Sequence, residues 1–203
     1  MDNNTLDPTP KTVASVILAA GKSSRMNFPK ALVEVHGRSF LSTIIDAHLT
    51  ASLPVHIVLG ADQDRIQKSV DMSNIPVFVN LKPDQGPLSS LKIALDELGD
   101  YGAILVHPVD HPLVTAQTLV DLTLHFQKNS DGILIPEFHG KKGHPVLFSA
   151  RFYGELKAAP LQEGARWVVH HNTVSVVPVP VEDPGILQNI NTLNQLKKIL
   201  KGL

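Results

Sequence analysis

The sequence predicts an α/β domain with a mainly parallel central sheet and a small antiparallel hairpin extension. Three observations lead there. Short apolar runs alternate with helix-patterned segments at the spacing of βαβ units. The first of these runs is continuous and closed by glycine, as in a strand buried on both faces. After the fourth unit the rhythm changes, and two extended segments flank a short charged turn. The 203 residues and 43% apolar content suit one globular domain with a substantial core.

Each element follows from local pattern. Residues 14–20, ASVILAA, form the first strand. Residues 39–52 place Leu41, Ile44, Ile45 and Leu49 at helical spacing. VHIVLG (55–60) is the second strand, QDRIQKSV the next helix and IPVFVN (75–80) the third strand. Residues 86–99 read as a helix with glycine at both ends, 102–108 as the fourth strand and 115–128 as a helix. DGILIP and HPVLFS then flank EFHGKKG as a hairpin. EGARWVVHHN reads as helical, TVSVVPVPV as extended, and TLNQLKKILKGL as a closing helix with basic residues near its end. Residues 1–12 are polar, with two prolines, and read as a loose tail before a single domain over 13–203.

Composition excludes several classes of function. With no cysteine there is no disulfide, thiolate zinc site, iron–sulfur cluster or cysteine nucleophile. A net charge of -1 gives no reason to expect nucleic acid as partner. The N-terminus lacks the charge pattern of a signal peptide, and no apolar run is long enough for a membrane span, so the expectation is a cytoplasmic protein.

In open parallel sheets ligands bind beyond the carboxyl ends of the strands. Three polar loops fall there: 21–30, 80–90 and 108–114. In the first, Gly21 lets a ligand approach the main chain, Ser23 and Ser24 add hydroxyls, Arg25 offers a planar fork, and Lys30 a movable charge. Such a loop can cradle phosphate; a solvated exposed turn has the same composition. Neither G-x-x-x-x-G-K-[ST] nor G-x-G-x-x-G is present.

The segment LAAGKSSRMNFPK resembles the L-A-A-G-x-S-x-R-M-G-x-x-K signature of the MobA-like NTP transferases. Further segments resemble the same family in order: GPLSSLKIAL (86–95), HPVDHPLV (107–114), GKKGHPVLF (140–148), EGARWVV (163–169) and 181–196. The 140–148 and 163–169 segments are most similar to the molybdenum cofactor cytidylyltransferase branch. The resemblance implies a GT-A-type, Rossmann-like three-layer nucleotidyltransferase fold and covers residues 14 to 200. It implies transfer of a nucleoside monophosphate, CTP being favoured, to a molybdopterin-type acceptor with Mg²⁺. A molybdoenzyme or its chaperone would be the downstream partner.

The resemblance also implies roles. Leu18, Ala19, Ala20 and Gly21 would meet base and ribose, while Ser23, Ser24, Arg25 and Lys30 would hold the triphosphate. Gly86, Ser89 and Ser90 would line the nucleotide pocket. Arg25, Lys30 and Asp110 would carry the chemistry, Asp110 and Asn191 would hold the metal, and His144 and Arg166 would meet the acceptor.

Two departures from the pattern involve three asparagines. Asn27 replaces the signature glycine, and Asn189 and Asn191 replace an aspartate pair. An amide oxygen can ligate Mg²⁺ but adds no charge. Guanylyltransferase and sugar-phosphate nucleotidyltransferase activities are the enzymatic alternatives, and a nucleotide or cofactor carrier with an impaired site is the non-enzymatic one. Among the remaining candidates, His107 and His111 flank Asp110 in a proline-rich loop, a spacing loose for zinc. His48 and His56 are assigned to packing, and Lys141 and Lys142 to a charged turn.

Overall fold

The computed structural model describes residues 12–23, 26, 28–128 and 131–202. The first half of the chain forms β1 (Val13–Ala19), β2 (Glu34–Val35), β3 (Arg38–Ser39), α1 (Phe40–Thr50), β4 (Val55–Leu59), α2 (Gln63–Ser69) and β5 (Val77–Val79). The second half forms α3 (Pro87–Glu97), β6 (Ala103–Pro108), α4 (Ala116–Lys128), β7 (Ile133–Phe138), β8 (Lys141–Lys142) and β9 (Val146–Ser149). It closes with α5 (Tyr153–Ala158), α6 (Arg166–His171), β10 (Val176–Pro180) and α7 (Leu193–Gly202). Among the described residues no helix is long and apolar enough to cross a membrane.

The main sheet runs in the order β10-β7-β9-β6-β1-β4-β5, with β8 added to β7. β1 lies at its heart, paired parallel to β4 on one edge and to β6 on the other. Its side chains split by alternation, as a strand's must. Ala14 and Val16 pack with Leu88, Leu91 and Leu95 of α3 on one face. Ile17 and Ala19 pack with Leu41, Ile44 and Ile45 of α1 on the other. Helices α3, α5 and α6 cover the first face, through Leu91, Leu156 and Val168. α4 covers the opposite face beneath β6, β7 and β9, through Leu119, Leu122 and Phe126. The result is the expected three-layer α/β arrangement.

One expectation is corrected in detail. The antiparallel piece is not an appendage at the end of a parallel sheet. β9 inserts between β6 and β7 and runs against both, while β10 continues parallel to β7. The charged turn expected between the two strands holds only the short β8, paired with β7. Several elements are shorter than their patterns: the strand over 75–80 narrows to Val77–Val79 and the helix over 163–172 to Arg166–His171. The β2–β3 hairpin and α5 carried no recognised signal. Of the tail over 1–12, all but Thr12 lies outside the described residues.

Two ties matter for the site. Ser39 caps α1, its side chain accepting from the Ser42 amide at 3.1 Å. Gly60, just past β4, lets the chain pass against the end of β1: a Cβ there would stand 2.3 Å from the Ala20 carbonyl oxygen. Gly60→Ala is therefore expected to destabilise by about 1–3 kcal/mol, the cost of overpacking a tight contact. Urea unfolding checks this, as a lower midpoint with an unchanged slope.

Candidate active site

β1 ends between two parallel neighbours, so its last residues and the loops beside them open on one rim. A single cavity there is lined by Leu18, Ala19, Ala20, Gly21 and Ser23 after β1, and by Lys30 beyond them. Pro83, Gly86, Pro87 and Ser90 supply a second wall, and Pro108, Val109 and Asp110 after β6 a third. The N-terminus of α3 thus faces the cavity. Gly86 caps it at φ +89°, a left-handed conformation suited to glycine, and Pro87 occupies the first turn where no amide bond is lost. A helix N-terminus favours an anion. At Gly21, which lines the cavity, an added Cβ would meet nothing within 4 Å among the described residues.

The loop after β1 is folded back by its own groups. The Ser23 hydroxyl accepts from the Lys30 amide at 2.9 Å, and Met26 is buried with Val33, Val35, Phe40 and Ile190. Ser24 and Arg25, expected in the phosphate cradle, lie outside the described residues, as does Asn27. Lys22 forms an ion pair with Asp84 at 3.0 Å, linking this loop to the one after β5. Both side chains are exposed, so the clasp is weak.

Lys30 reaches across to the third wall. Its ammonium donates to Asn191 Oδ1 and lies 3.5 Å from Asp110 Oδ2. Asn191 in turn donates from Nδ2 to Asn189 Oδ1, so its oxygen faces the cation. The Ile190 amide donates to the Asp110 carbonyl at 2.8 Å, tying this strap to the β6 loop. A cation already stands between the two residues expected to hold the metal, so their donor oxygens suit a divalent ion. Only one of them is charged. Among the described residues no three histidine or acidic side chains gather closely enough to hold a metal alone.

Other expected residues separate. Ser90 lines the cavity, but Ser89 does not: its hydroxyl donates to the Gly86 carbonyl at 2.7 Å and accepts from Asn80 Nδ2 at 2.8 Å. Ser89 braces the loop instead of lining the pocket. Asn80, passed over in the sequence, is buried and also donates to Ser90 Oγ at 2.9 Å. His144 sits against His111, ring centroids 4.6 Å apart, on the Asp110 side. Arg166 lies by Gly86, lining a separate depression with Asp84, Gln85 and Glu163.

Comparison with known proteins decides the family. Residues 15–176 match the MobA-like NTP transferase domain. The chain belongs to the MobA-like NTP transferase family. It is 30% identical over 158 residues to a probable molybdenum cofactor guanylyltransferase of Bacillus cereus, covering 75% of this chain and 76% of that one. It is also 30% identical over 126 residues to the bifunctional protein GlmU of Ruthia magnifica, but spans only 28% of that longer protein. A solved structure of Rv0371C from Mycobacterium tuberculosis in complex with manganese superposes with a TM-score of 0.79 at 22% identity, covering 95% of this chain and all of the other.

This MobA-like domain carries an imidazole cluster behind Asp110. His111 Nδ1 donates to Asp110 Oδ1 at 3.0 Å. His107 Nε2 lies 2.9 Å from the His111 carbonyl, and His48 Nε2 lies 2.8 Å from His107 Nδ1. Burial pushes His107 down to about 3 and His144 down to about 4, with the charge of His111 adding to both. Burial also lowers His48, helped by His107. For Asp110 burial pushes upward, but the hydrogen bond and charge of His111 and the Lys30 ammonium outweigh it, so its carboxyl is held below the ordinary range.

The sign for the histidines follows. A folded pKa below the unfolded value means the unfolded chain binds more protons between the two. Stability is then full above pH ~6.5 and lost as pH falls towards 4 and 3. Urea midpoints measured from pH 7.5 to 5 should fall, each buried imidazole steepening the loss by up to about 1.4 kcal/mol per pH unit.

Proposed function

We propose that this protein is a divalent-metal-dependent nucleotidyltransferase that moves a nucleoside monophosphate onto a phosphorylated, molybdopterin-type acceptor. One observation carries the reading: a glycine-edged cavity at the end of β1 has the Lys30 ammonium, Asp110 and Asn191 together on one side. The cavity is suited to a triphosphate, with the α3 N-terminus and Lys30 as its positive elements. Asp110 and Asn191 would hold Mg²⁺ or a similar ion, which when bound supplies charge neutralisation to phosphate oxygens.

An acceptor phosphate oxygen attacks the α-phosphorus. The new P–O bond forms as the bond from the α-phosphorus to the bridging oxygen breaks, and pyrophosphate leaves with that electron pair. The acceptor is already anionic, so no side-chain base is needed. Lys30 stabilises charge growing on the leaving group, and such a contact helps most where it is stronger in the transition state than in the ground state. Arg25 would add a second cation. His144 beside the metal side, and Arg166 near Gly86, are the proposed acceptor contacts. CTP is favoured by the segments at 140–148 and 163–169; the guanylyl reading draws on the Bacillus cereus relative. The whole activity would be carried by one domain over 13–203 in the cytoplasm.

Pyrophosphate release from each nucleoside triphosphate, with Mg²⁺ or Mn²⁺ and molybdopterin cofactor, tests this reading. Release with CTP is the expected result, and release with GTP alone transfers the assignment to the guanylyl reading. Tight nucleotide binding with no release from any of them means a carrier. Lys30→Met should lower turnover by about a hundredfold or more. Asn191→Asp, which adds a second carboxylate, should tighten Mn²⁺ binding in the absence of nucleotide, as read by electron paramagnetic resonance.

A further inference from the structure

The nucleotide and metal readings leave the buried histidines behind Asp110 unexplained. Two of them, His48 on α1 and His107 on β6, are wholly buried, and their side chains meet 59 residues apart in sequence. Buried polar groups that a fold keeps need partners, and here each partner fixes the next. The His111 carbonyl can only accept, so His107 Nε2 carries the hydrogen. Buried and neutral, His107 then has a bare Nδ1, which must accept from His48 Nε2. That leaves His48 Nδ1 as a bare lone pair, in keeping with its having no hydrogen-bond partner among the described residues. The reverse assignment would set two lone pairs face to face at His107 and the carbonyl and orphan a buried N–H, the rarer and costlier defect.

The chain of bonds points at the site. His111 receives the His107 bond at its carbonyl and gives its own Nδ1 hydrogen to Asp110 Oδ1 at 3.0 Å. Other bonds hold the same loop: Val109 N to the Leu18 carbonyl, His111 N to the Pro108 carbonyl, and Ile190 N to the Asp110 carbonyl. All three fix backbone, and none reaches the carboxylate.

We propose that His48 and His107 are positioning residues for Asp110: His48 holds His107 in the one tautomer that can donate to the His111 carbonyl, and this bond sets the angle at which His111 holds the Asp110 carboxylate. The inference rests on the reading of Asp110 as a metal- and phosphate-site residue. His48 and His107 touch neither substrate nor ion. They act as outer partners do at metal sites, where a bond one or two residues back from a ligand sets its direction.

The test has two arms. Long-range ¹H–¹⁵N spectra of the imidazoles report tautomers directly. His48 and His107 should both carry hydrogen on Nε2, and His48→Leu should displace the His111 Nδ1–H signal; hydrogen on His107 Nδ1, or an unmoved His111 signal, overturns the proposal. In the second arm, Mn²⁺ is titrated with a non-hydrolysable triphosphate and followed by electron paramagnetic resonance. His48→Leu should weaken its binding by about tenfold or more, while His48→Gln, whose amide can donate to His107, should restore it. Equal affinity in all three proteins overturns the proposal. A wild-type protein that binds no Mn²⁺–triphosphate removes the proposed function instead, and the first arm still decides the positioning claim.

Discussion

Everything in this fold depends on β1 having a parallel partner on each edge. With β4 and β6 on either side, its backbone groups are satisfied within the sheet, and its side chains, Ser15 apart, are apolar. The ladder stops when its neighbours stop. The chain must then leave the sheet at Ala20, and the polar groups it next presents collect on one rim with those leaving β6. Asp110 is brought to Lys30 by that shared ending: the Val109 amide bonds back to the Leu18 carbonyl at 3.1 Å.

Around this rim the protein uses buried polar groups as ties. Asp183 is the fullest example. Its carboxylate accepts from the Thr115 amide and hydroxyl at 2.8 and 2.9 Å, from the Thr118 hydroxyl at 2.7 Å and from the Gly185 amide at 2.8 Å. It joins the start of α4 to the segment that leads on to Asn189 and Asn191. Gly185 sits so close to the Leu113 carbonyl that a Cβ would fall 2.1 Å from it. Asn80 does the same work between β5 and α3. A buried polar group with every bond made is rigid, and rigidity is what a site at the tips of loops needs.

Much of this was legible in the sequence because the signals were local. The apolar run ending in Gly21, the helix pattern after Gly86 and the Asp110 loop each lie within a few consecutive residues. What escaped depends on direction or on distance. Ser89 and Ser90 are neighbours, yet a helix turns by 100° per residue, so one faces the cavity and the other its own cap. The position of β9 inside the sheet depends on pairings between strands far apart in sequence, which no window of residues displays. His48 looked like ordinary packing and His107 like a neighbour of Asp110 for the same reason: only the fold reveals that each is the other's partner. The sequence argument for a phosphate cradle drew on Gly21, Ser23, Ser24, Arg25 and Lys30 together; Ser24 and Arg25 lie outside the described residues, and Gly21, Ser23 and Lys30 line the cavity.

Under the proposed metal role of Asp110 and Asn191, the ammonium lodged against them has a wider implication for how the protein would live without that ion. Small domains built around zinc collapse when stripped, because nothing else balances their ligands. This cleft brings a counter-charge of its own on a tethered arm. Chelated protein would keep its architecture, tolerate storage in ion-free buffer and reload on demand, so shortage of metal would silence it reversibly and leave the fold intact.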